Sequence, residues 1–249
     1  MKLKFREFGQ GNHRGLWLHG WLGSGEEGAK LQKALGENFT LFCPDLPGHG
    51  ETPLADWTRE GTLEAIARLA KGCEWAGGYS MGGRLLMMAA ARYPDAFTKL
   101  VIESASLGYS DEQTRLERKR LDLQRAEKLQ SQGLKAFCEE WYGMEMWGGF
   151  TDFPERKGKV DDLAGALTLF SVAHQPDLRA WIITAPERIL WLAGKRDPVY
   201  AELAEWVRIR TRHQVGLLNA GHNIHAQDPV TWAEKTRLFL QDQERQKEQ

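Results

Sequence analysis

The chain has 249 residues, of which 42% are apolar, so it is long enough for one large domain with a full core and an inserted subdomain. Its 33 Lys and Arg residues nearly balance its 34 Asp and Glu residues, which leaves a net charge of −1. This balance argues against a broad nucleic-acid-binding surface, which requires a basic excess, but it leaves room for a local basic pocket.

Three features of the sequence bear on the cellular location of the protein, and all three favour the cytoplasm. Cys43, Cys73 and Cys138 lie far apart and lack metal-ligand spacing, so we expect three reduced thiols. The first residues contain no uninterrupted apolar stretch of the kind that a signal peptide needs. No segment approaches the roughly 20 apolar residues of a membrane span. We therefore expect a cytoplasmic protein without membrane insertion.

Short apolar runs alternate with helical patterns along most of the chain. The runs predict strands at Leu16–Leu18, Thr40–Cys43, Glu74–Gly77, Leu100–Glu103, Ile189–Ala193 and Val215–Leu218. Helical patterns lie at Gly28–Leu35, Leu63–Ala70, Gly83–Arg92, Ala201–Arg210 and Pro229–Leu240. Strands that alternate with helices indicate an α/β fold, with a mostly parallel sheet and helices on both of its faces.

The alternation stops after Ser106, and only helical patterns follow from Ser110 to about residue 170. Ser110, with Gln113 three residues later, predicts a capping box, and Gly133 predicts a helix end. We therefore predict an α/β core in residues 1–106 and 181–249, interrupted by a helical cap at 107–180, here called the cap segment. Such a cap would cover the carboxyl ends of the strands, where open α/β sheets bind ligands.

A G-x-S-x-G motif, Gly78-Tyr79-Ser80-Met81-Gly82, follows a predicted strand and precedes a predicted helix. Glycines on both sides of the serine permit a turn that is too tight for side chains, and this turn exposes the hydroxyl above the sheet. The helix N-terminus favours negative charge nearby. Ser80 is therefore the candidate nucleophile or base.

A serine hydroxyl needs a basic partner and an acid to orient it, and in this type of motif they follow in the order acid, then histidine. His222 comes after the last predicted strand, with His225 as its nearby alternative. Asp197 comes after the preceding strand and would hold the imidazole and stabilise its cation. The alternative for Asp197, which stands before Pro198, is to cap the next helix.

An oxyanion hole requires two backbone N–H donors. The residue after the serine, Met81, supplies one candidate, and Trp21, in the loop after an early strand, supplies the other. We expect His19 to brace that loop. Asp45 and His49 invite a metal-site interpretation, but no further ligands keep metal spacing, so we predict a structural turn and no metal.

These motifs resemble those of the α/β-hydrolase family and, within it, those of the SHCHC synthases, which make 2-succinyl-6-hydroxy-2,4-cyclohexadiene-1-carboxylate in menaquinone biosynthesis. The resemblance covers nearly the whole chain. It is carried by His19–Gly25, Asp45–Gly50, Gly78–Arg84, Glu103–Gly108, Arg115, Arg118, Lys119, Arg120, Asp122, Trp141, Gln175–Leu178 and Gly221–Asn223.

The resemblance implies a lyase that eliminates pyruvate from 2-succinyl-5-enolpyruvyl-6-hydroxy-3-cyclohexene-1-carboxylate, with the triad as general base and the oxyanion hole holding an enolate. It implies a small polyanionic carboxylate as substrate. The matching substrate-binding residues are Tyr79, Arg84, Arg118, Trp141 and, with Lys157 or Lys159 as alternatives, Arg156.

Two other functions use the same fold. In a carboxylesterase or related acyl hydrolase, Ser80 would form an acyl-enzyme, and a pocket for neutral esters would hold apolar groups in place of Arg84 and Arg118. The third possibility is a ligand-binding protein without turnover, which a complete triad argues against. No dinucleotide fingerprint or phosphate loop occurs, so we expect no cofactor. The balanced charge leads us to expect no nucleic-acid partner.

Overall fold

The structure is a computed structural model that describes residues 2–186 and 188–241. Its sheet is formed by β1 (Phe5–Phe8), β2 (His13–Leu18), β3 (Phe39–Pro44), β4 (Trp75–Tyr79), β5 (Lys99–Glu103), β6 (Arg188–Gly194) and β7 (Gln214–Leu218). The seven strands lie in the order β1-β3-β2-β4-β5-β6-β7. Only β1 runs antiparallel to its neighbour, and the other strands are parallel.

Among the described residues, the α-helices are α1 (Gly28–Leu35), α2 (Arg59–Ala70), α3 (Met81–Arg92), α4 (Glu112–Gln132), α5 (Leu134–Tyr142), α6 (Val160–Leu169), α7 (Arg179–Thr184), α8 (Pro198–Arg210), α9 (Ile224–Gln227) and α10 (Pro229–Gln241). All six predicted strands and all five predicted helices are confirmed, with ends that differ by a few residues. The α/β fold with a mostly parallel sheet is thereby confirmed as well.

The edge strand β1 was not predicted. Its residues alternate between exposed and half-buried, and Phe5 is 40% exposed, so the sequence contains no buried apolar run there. Such a strand is typical of a sheet edge, where one side of the backbone has no neighbouring strand.

Strand residues of the central sheet pack alternately into two hydrophobic clusters. On β2, Leu16 and Leu18 join one cluster and Trp17 joins the other. On β6, Trp191 packs on the first side, and Leu192 packs on the second. Because successive strand side chains point to opposite faces, these two clusters are the two covered faces of the sheet. Both faces are buried, which fixes the strand ends that carry the candidate site.

The segment between β5 and β6 contains α4 to α7 and, among the described residues, no strand. Helix α4 ends at Gly133, which adopts φ +79°, so the predicted helix end is confirmed. The predicted cap at Ser110 is wrong, because Asp111 accepts the Thr114 N–H at 2.6 Å and its hydroxyl at 2.7 Å. A carboxylate is especially favourable at a helix N-terminus. The exact bounds of the cap segment remain a prediction.

Candidate active site

Ser80 occupies a sharp turn between β4 and α3. Its backbone adopts φ +51° and ψ −111°, a conformation that non-glycine residues rarely adopt. A Cβ at Gly78 would lie 2.7 Å from the backbone of Gly82, and one at Gly82 would lie 2.3 Å from the Leu18 carbonyl oxygen. Both glycines are therefore required sterically. The turn places Ser80 at the carboxyl end of the central strand.

Ser80, His222 and Asp197 lie within hydrogen-bonding distance in series. His222 Nε2 lies 3.1 Å from Ser80 Oγ, and its Nδ1 lies 2.6 Å from Asp197 Oδ2. The side chains of His222 and Asp197 are almost completely buried. In this arrangement Asp197 accepts the Nδ1 proton, so Nε2 is free to accept the proton of the serine hydroxyl.

The structure distinguishes Asp197 and His222 from the alternatives that the sequence left open. Asp197 stands at the start of α8 but forms no capping hydrogen bond with its side chain. His225 directs Nδ1 to Glu103 Oε1 at 2.8 Å, whereas His222 contacts Ser80. The geometry therefore favours a role for Asp197 beside the imidazole over a role in helix capping. It also favours His222 over His225 as the partner of Ser80.

The loop after β2 lies directly beside Ser80. A Cβ at Gly20 would be 3.5 Å from the Ser80 Cβ atom. Within residues 2–186 and 188–241, the backbone N–H groups of Trp21 and Met81 donate to no protein acceptor, as an oxyanion hole requires. His19 braces this loop: its Nδ1 donates to the Gly20 carbonyl at 2.7 Å, and its Nε2 accepts the Leu46 N–H at 3.0 Å.

Four aromatic residues surround the imidazole and the loop. The rings of Tyr79, Trp147 and Tyr200 lie 5.3, 5.5 and 4.7 Å from the ring of His222. Trp141 packs edge-on against Trp21 at 5.2 Å. Sequence reasoning missed Trp147 and Tyr200. Tyr200 could have been found from its place in the first turn of the helix that follows Asp197.

Arg84 lies one helical turn beyond Ser80 and belongs to a group of arginines whose other members, Arg118 and Arg125, are on α4. Arg84 is 7% exposed, forms no ion pair with any described residue, and donates only a long 3.5 Å hydrogen bond to Gln175 Oε1. Burial, followed by the charge of Arg118, lowers the pKa of Arg84 to about 10. The buried Asp122 accepts from Arg118 Nε at 2.9 Å and from Arg125 at 3.4 Å.

This arginine group therefore carries three guanidinium charges, of which the Asp122 carboxylate contacts two. Burial raises the pKa of Tyr200, against the opposing charges of Arg118 and Arg84. Since Tyr200 also packs on His222, it connects the arginines to the serine and histidine. The arrangement suits a ligand that brings negative charge close to Ser80.

Arg156 lies elsewhere, beside a cavity of about 480 Å³ that Lys157 and His225 also line. Its Nη1 donates to Glu27 Oε1 at 2.6 Å, and its Nε donates to the Tyr142 hydroxyl at 2.7 Å. Its charge is thus already neutralised by Glu27, and no contact joins it to Arg84 or Arg118 within the described part of the chain. Lys159 is the residue that precedes α6.

Asp45 holds a turn together. It accepts the Gly25 N–H at 2.7 Å, the Glu51 N–H at 2.9 Å and the Arg6 guanidinium at 2.7 Å. Burial lowers the pKa of His49 to about 3, with the charge of His19 adding to the effect, so His49 is neutral at physiological pH. Among residues 2–186 and 188–241, no group of three His, Cys, Asp or Glu side chains could hold a metal ion. Nor does that part of the chain contain a helix long and apolar enough to span a membrane.

Residues 16–235 match the family model described as the alpha/beta hydrolase family. The chain therefore belongs to the alpha/beta hydrolase family and is an enzyme of that fold.

The chain is also similar to individual proteins, over most of its length. The chain is 31% identical over 233 residues to 2-succinyl-6-hydroxy-2,4-cyclohexadiene-1-carboxylate synthase of Escherichia coli O1:K1, with 86% of this chain and 88% of that protein covered. Among solved structures, it is similar to MenH from S. aureus, with a TM-score of 0.88, 23% identity, and 97% and 99% of the two chains covered. It is also similar to a thermophilic esterase from Thermogutta terrifontis, with a TM-score of 0.76, 21% identity, and coverage of 96% and 93%.

Proposed function

We propose that this enzyme is an SHCHC synthase, which eliminates pyruvate from 2-succinyl-5-enolpyruvyl-6-hydroxy-3-cyclohexene-1-carboxylate. The observation that carries the proposal is Arg84, a buried guanidinium without a carboxylate partner, one turn of helix from Ser80. A buried charge without a partner is costly, so its retention is explained by a ligand that supplies the opposite charge. The Escherichia coli relative, which bears the name of this synthase, supports the same proposal.

In the proposed reaction, Ser80, His222 and Asp197 form a general base. His222 takes the Ser80 hydroxyl proton, and the Ser80 oxygen takes a proton from the carbon next to the substrate's succinyl carbonyl group. The enolate oxygen that develops accepts hydrogen bonds from the Trp21 and Met81 N–H groups, which stabilises its charge. The electron pair then shifts through the ring and breaks the carbon–oxygen bond to the enolpyruvyl group. The leaving group is the enolate of pyruvate, which takes up the proton held by His222 on its carbon and becomes pyruvate, so the imidazole returns to its neutral form.

The substrate carries several carboxylates, and we assign two of them to Arg84 and Arg118. Arg118 is already oriented by both oxygens of Asp122, so its remaining N–H donors are held in position for a ligand. Tyr79 and Trp141 would line the same pocket. Arg156 is the third proposed cation, but a carboxylate would have to compete with Glu27 for it. A cytoplasmic location and the absence of a cofactor or nucleic-acid partner stay predictions.

The decisive test measures pyruvate release from the enolpyruvyl substrate, which the preceding pathway enzyme would generate in place. We expect release by the wild-type protein, none by Ser80→Ala, and full activity in Ser131→Ala, which changes an exposed serine on α4. If the wild type releases no pyruvate while Ser80 still reacts with a fluorophosphonate, the esterase function replaces the lyase. Full pyruvate release by Ser80→Ala would contradict the site itself.

A further inference from the structure

Glu103, the last residue of β5, contacts both the turn of Ser80 and the loop of His222. Its backbone carbonyl accepts the Ser80 N–H at 2.9 Å. Its side-chain Oε1 accepts the N–H groups of Ile224 at 2.8 Å and of His225 at 3.2 Å. The same oxygen lies 2.8 Å from His225 Nδ1. One fully buried residue therefore joins the two segments whose separation sets the distance from Ser80 to His222.

His225 continues this contact toward the other side of the loop. Its Nε2 lies 3.8 Å from Glu27 Oε2, so the imidazole stands between two carboxylates. Burial alone would lower the pKa of His225, but the charges of Glu103 and Glu27 outweigh burial and raise it to about 9. Burial likewise opposes ionisation of Glu27, yet its contacts with His225 and Arg156 lower its pKa to about 2. At neutral pH the imidazole is therefore a cation.

The ring of His225 is held between two aromatic rings. It packs at 5.3 Å from Trp17 and at 4.9 Å from Tyr79. The titratable and charged groups that face it or its partner Glu27 are Glu103 on β5, Tyr79 on β4, Cys43 on β3, His19 in the loop after β2, and Arg156 with Tyr142 in the cap segment.

Stability alone is a poor reason to bury these charges. Burying a carboxylate and an imidazolium together is weakly favourable at best, and apolar residues of similar size are often as stable. Glu103 Oε2 also accepts no hydrogen bond from any residue of the described ranges, which adds to the cost of burial. The contacts do, however, fix the loop three residues from His222.

We propose that Glu103 and His225 are positioning residues, which hold the loop of His222 at hydrogen-bonding distance from Ser80. This inference rests on the proposed roles of Ser80 and His222. A displacement of about 1 Å in a reacting group costs on the order of 10²-fold in rate, so loss of either contact should be visible in kcat.

The test compares Glu103→Gln and His225→Gln with Glu74→Gln and His13→Gln. His13 and Glu74 form an exposed pair at 3.2 Å and serve as matched controls. The first measurement is the far-downfield proton resonance of the His222 Nδ1–H that bonds Asp197, assigned by its absence in Asp197→Asn. We expect this resonance to shift or broaden in Glu103→Gln and His225→Gln and to persist in both controls. An unchanged resonance in both loop variants would overturn the proposal.

The second measurement is the pH dependence of pyruvate release. We expect kcat to fall about 10²-fold in His225→Gln with KM nearly unchanged, and we expect the wild-type kcat to decline above about pH 9, where His225 loses its proton. His225→Gln should lack that decline. Unchanged kcat in both loop variants would refute the positioning role. Because the proton resonance requires no substrate, the positioning role is tested even if the proposed lyase reaction fails.

If Glu103→Gln or His225→Gln does not fold, Glu27→Gln provides a second variant, which also breaks the ion pair of Glu27 with Arg156, so its pH profile rather than its KM is compared with the wild type. It removes the more distant of the two carboxylates and leaves both hydrogen bonds from the His225 backbone and ring to Glu103 in place. We expect a smaller loss of kcat and a decline in rate at lower pH than in the wild type. A wild-type pH profile in this variant would contradict the proposal.

Discussion

Replacing Arg84 with methionine should stabilise the free enzyme while weakening substrate binding. Arg84 is buried, and its pKa falls from 12.5 to about 10 because of burial and the charge of Arg118. At about 1.4 kcal/mol per pKa unit, the charge costs the folded state about 3 kcal/mol, a cost that is fully present at neutral pH. Methionine retains most of the apolar volume and removes that charge.

The gain should be smaller than this cost, because the aliphatic contacts of Arg84 and its hydrogen bond to Gln175 are partly lost. We expect the free energy of unfolding to rise by about 1–2 kcal/mol. For a chain of this size, that increase corresponds to roughly 2–8 °C in Tm. Substrate binding should lose a charge-assisted interaction of about 1.5–3 kcal/mol, which is a rise of roughly 10- to 150-fold in KM.

Urea unfolding and pyruvate-release kinetics on the same preparations test both halves of this prediction. Arg120→Met, which changes an exposed residue on α4, is the matched control and should alter neither quantity. A loss of stability in Arg84→Met would show that the buried charge is compensated within the protein. An unchanged KM would show that Arg84 does not bind the substrate. Either result would refute the reasoning.

Three further substitutions follow from the site. Asp197→Asn should lower kcat by about 10⁴-fold with little change in KM, because the amide no longer fixes the Nδ1–H tautomer of His222. Steady-state kinetics across pH measure this loss, and a much smaller loss would contradict the role assigned to Asp197. Arg118→Ala should lower kcat/KM for the anionic substrate more than kcat/KM for a neutral p-nitrophenyl ester. Equal losses for both would contradict the proposal that Arg118 binds a substrate carboxylate. Gly28→Ala should destabilise the fold by about 1–3 kcal/mol in urea unfolding, since its Cβ would lie 2.2 Å from Cys43 Sγ. Gly72→Ala, where the space is open, is its control, and equal stability of the two variants would argue against the steric cause.

The sheet could be predicted from the sequence because its central strands are buried on both faces. Runs such as Ile189–Ala193 are continuously apolar for that reason, and helical patterns separate them. The same topology places Ser80, Asp197 and His222 after the carboxyl ends of the parallel strands β4, β6 and β7. Their proximity therefore follows from their order along the chain.

Contacts that depend on side-chain direction were beyond sequence reasoning. Ser110 and Asp111 are both good capping residues, and only the backbone conformation of Asp111 selects it. Glu103 and His225 are 122 positions apart, and neither has a local pattern that marks a partner. Glu27 resembles any solvated glutamate at a helix start until Arg156 is brought against it by the chain's tertiary structure.

The cap segment contacts the main chain of His222 itself. His222 N–H donates to the Met146 carbonyl at 2.8 Å, and a Cβ at Gly221 would lie 2.3 Å from the Trp147 carbonyl oxygen. Exchanging cap segments between relatives therefore changes the residues that hold the His222 loop in place, as well as the residues that line the pocket. A chimaera would therefore have to take residues 146–148 and residues 221–227 from the same parent. The two segments are also joined by the hydrogen bond that the Gln227 side chain donates to the Trp147 carbonyl.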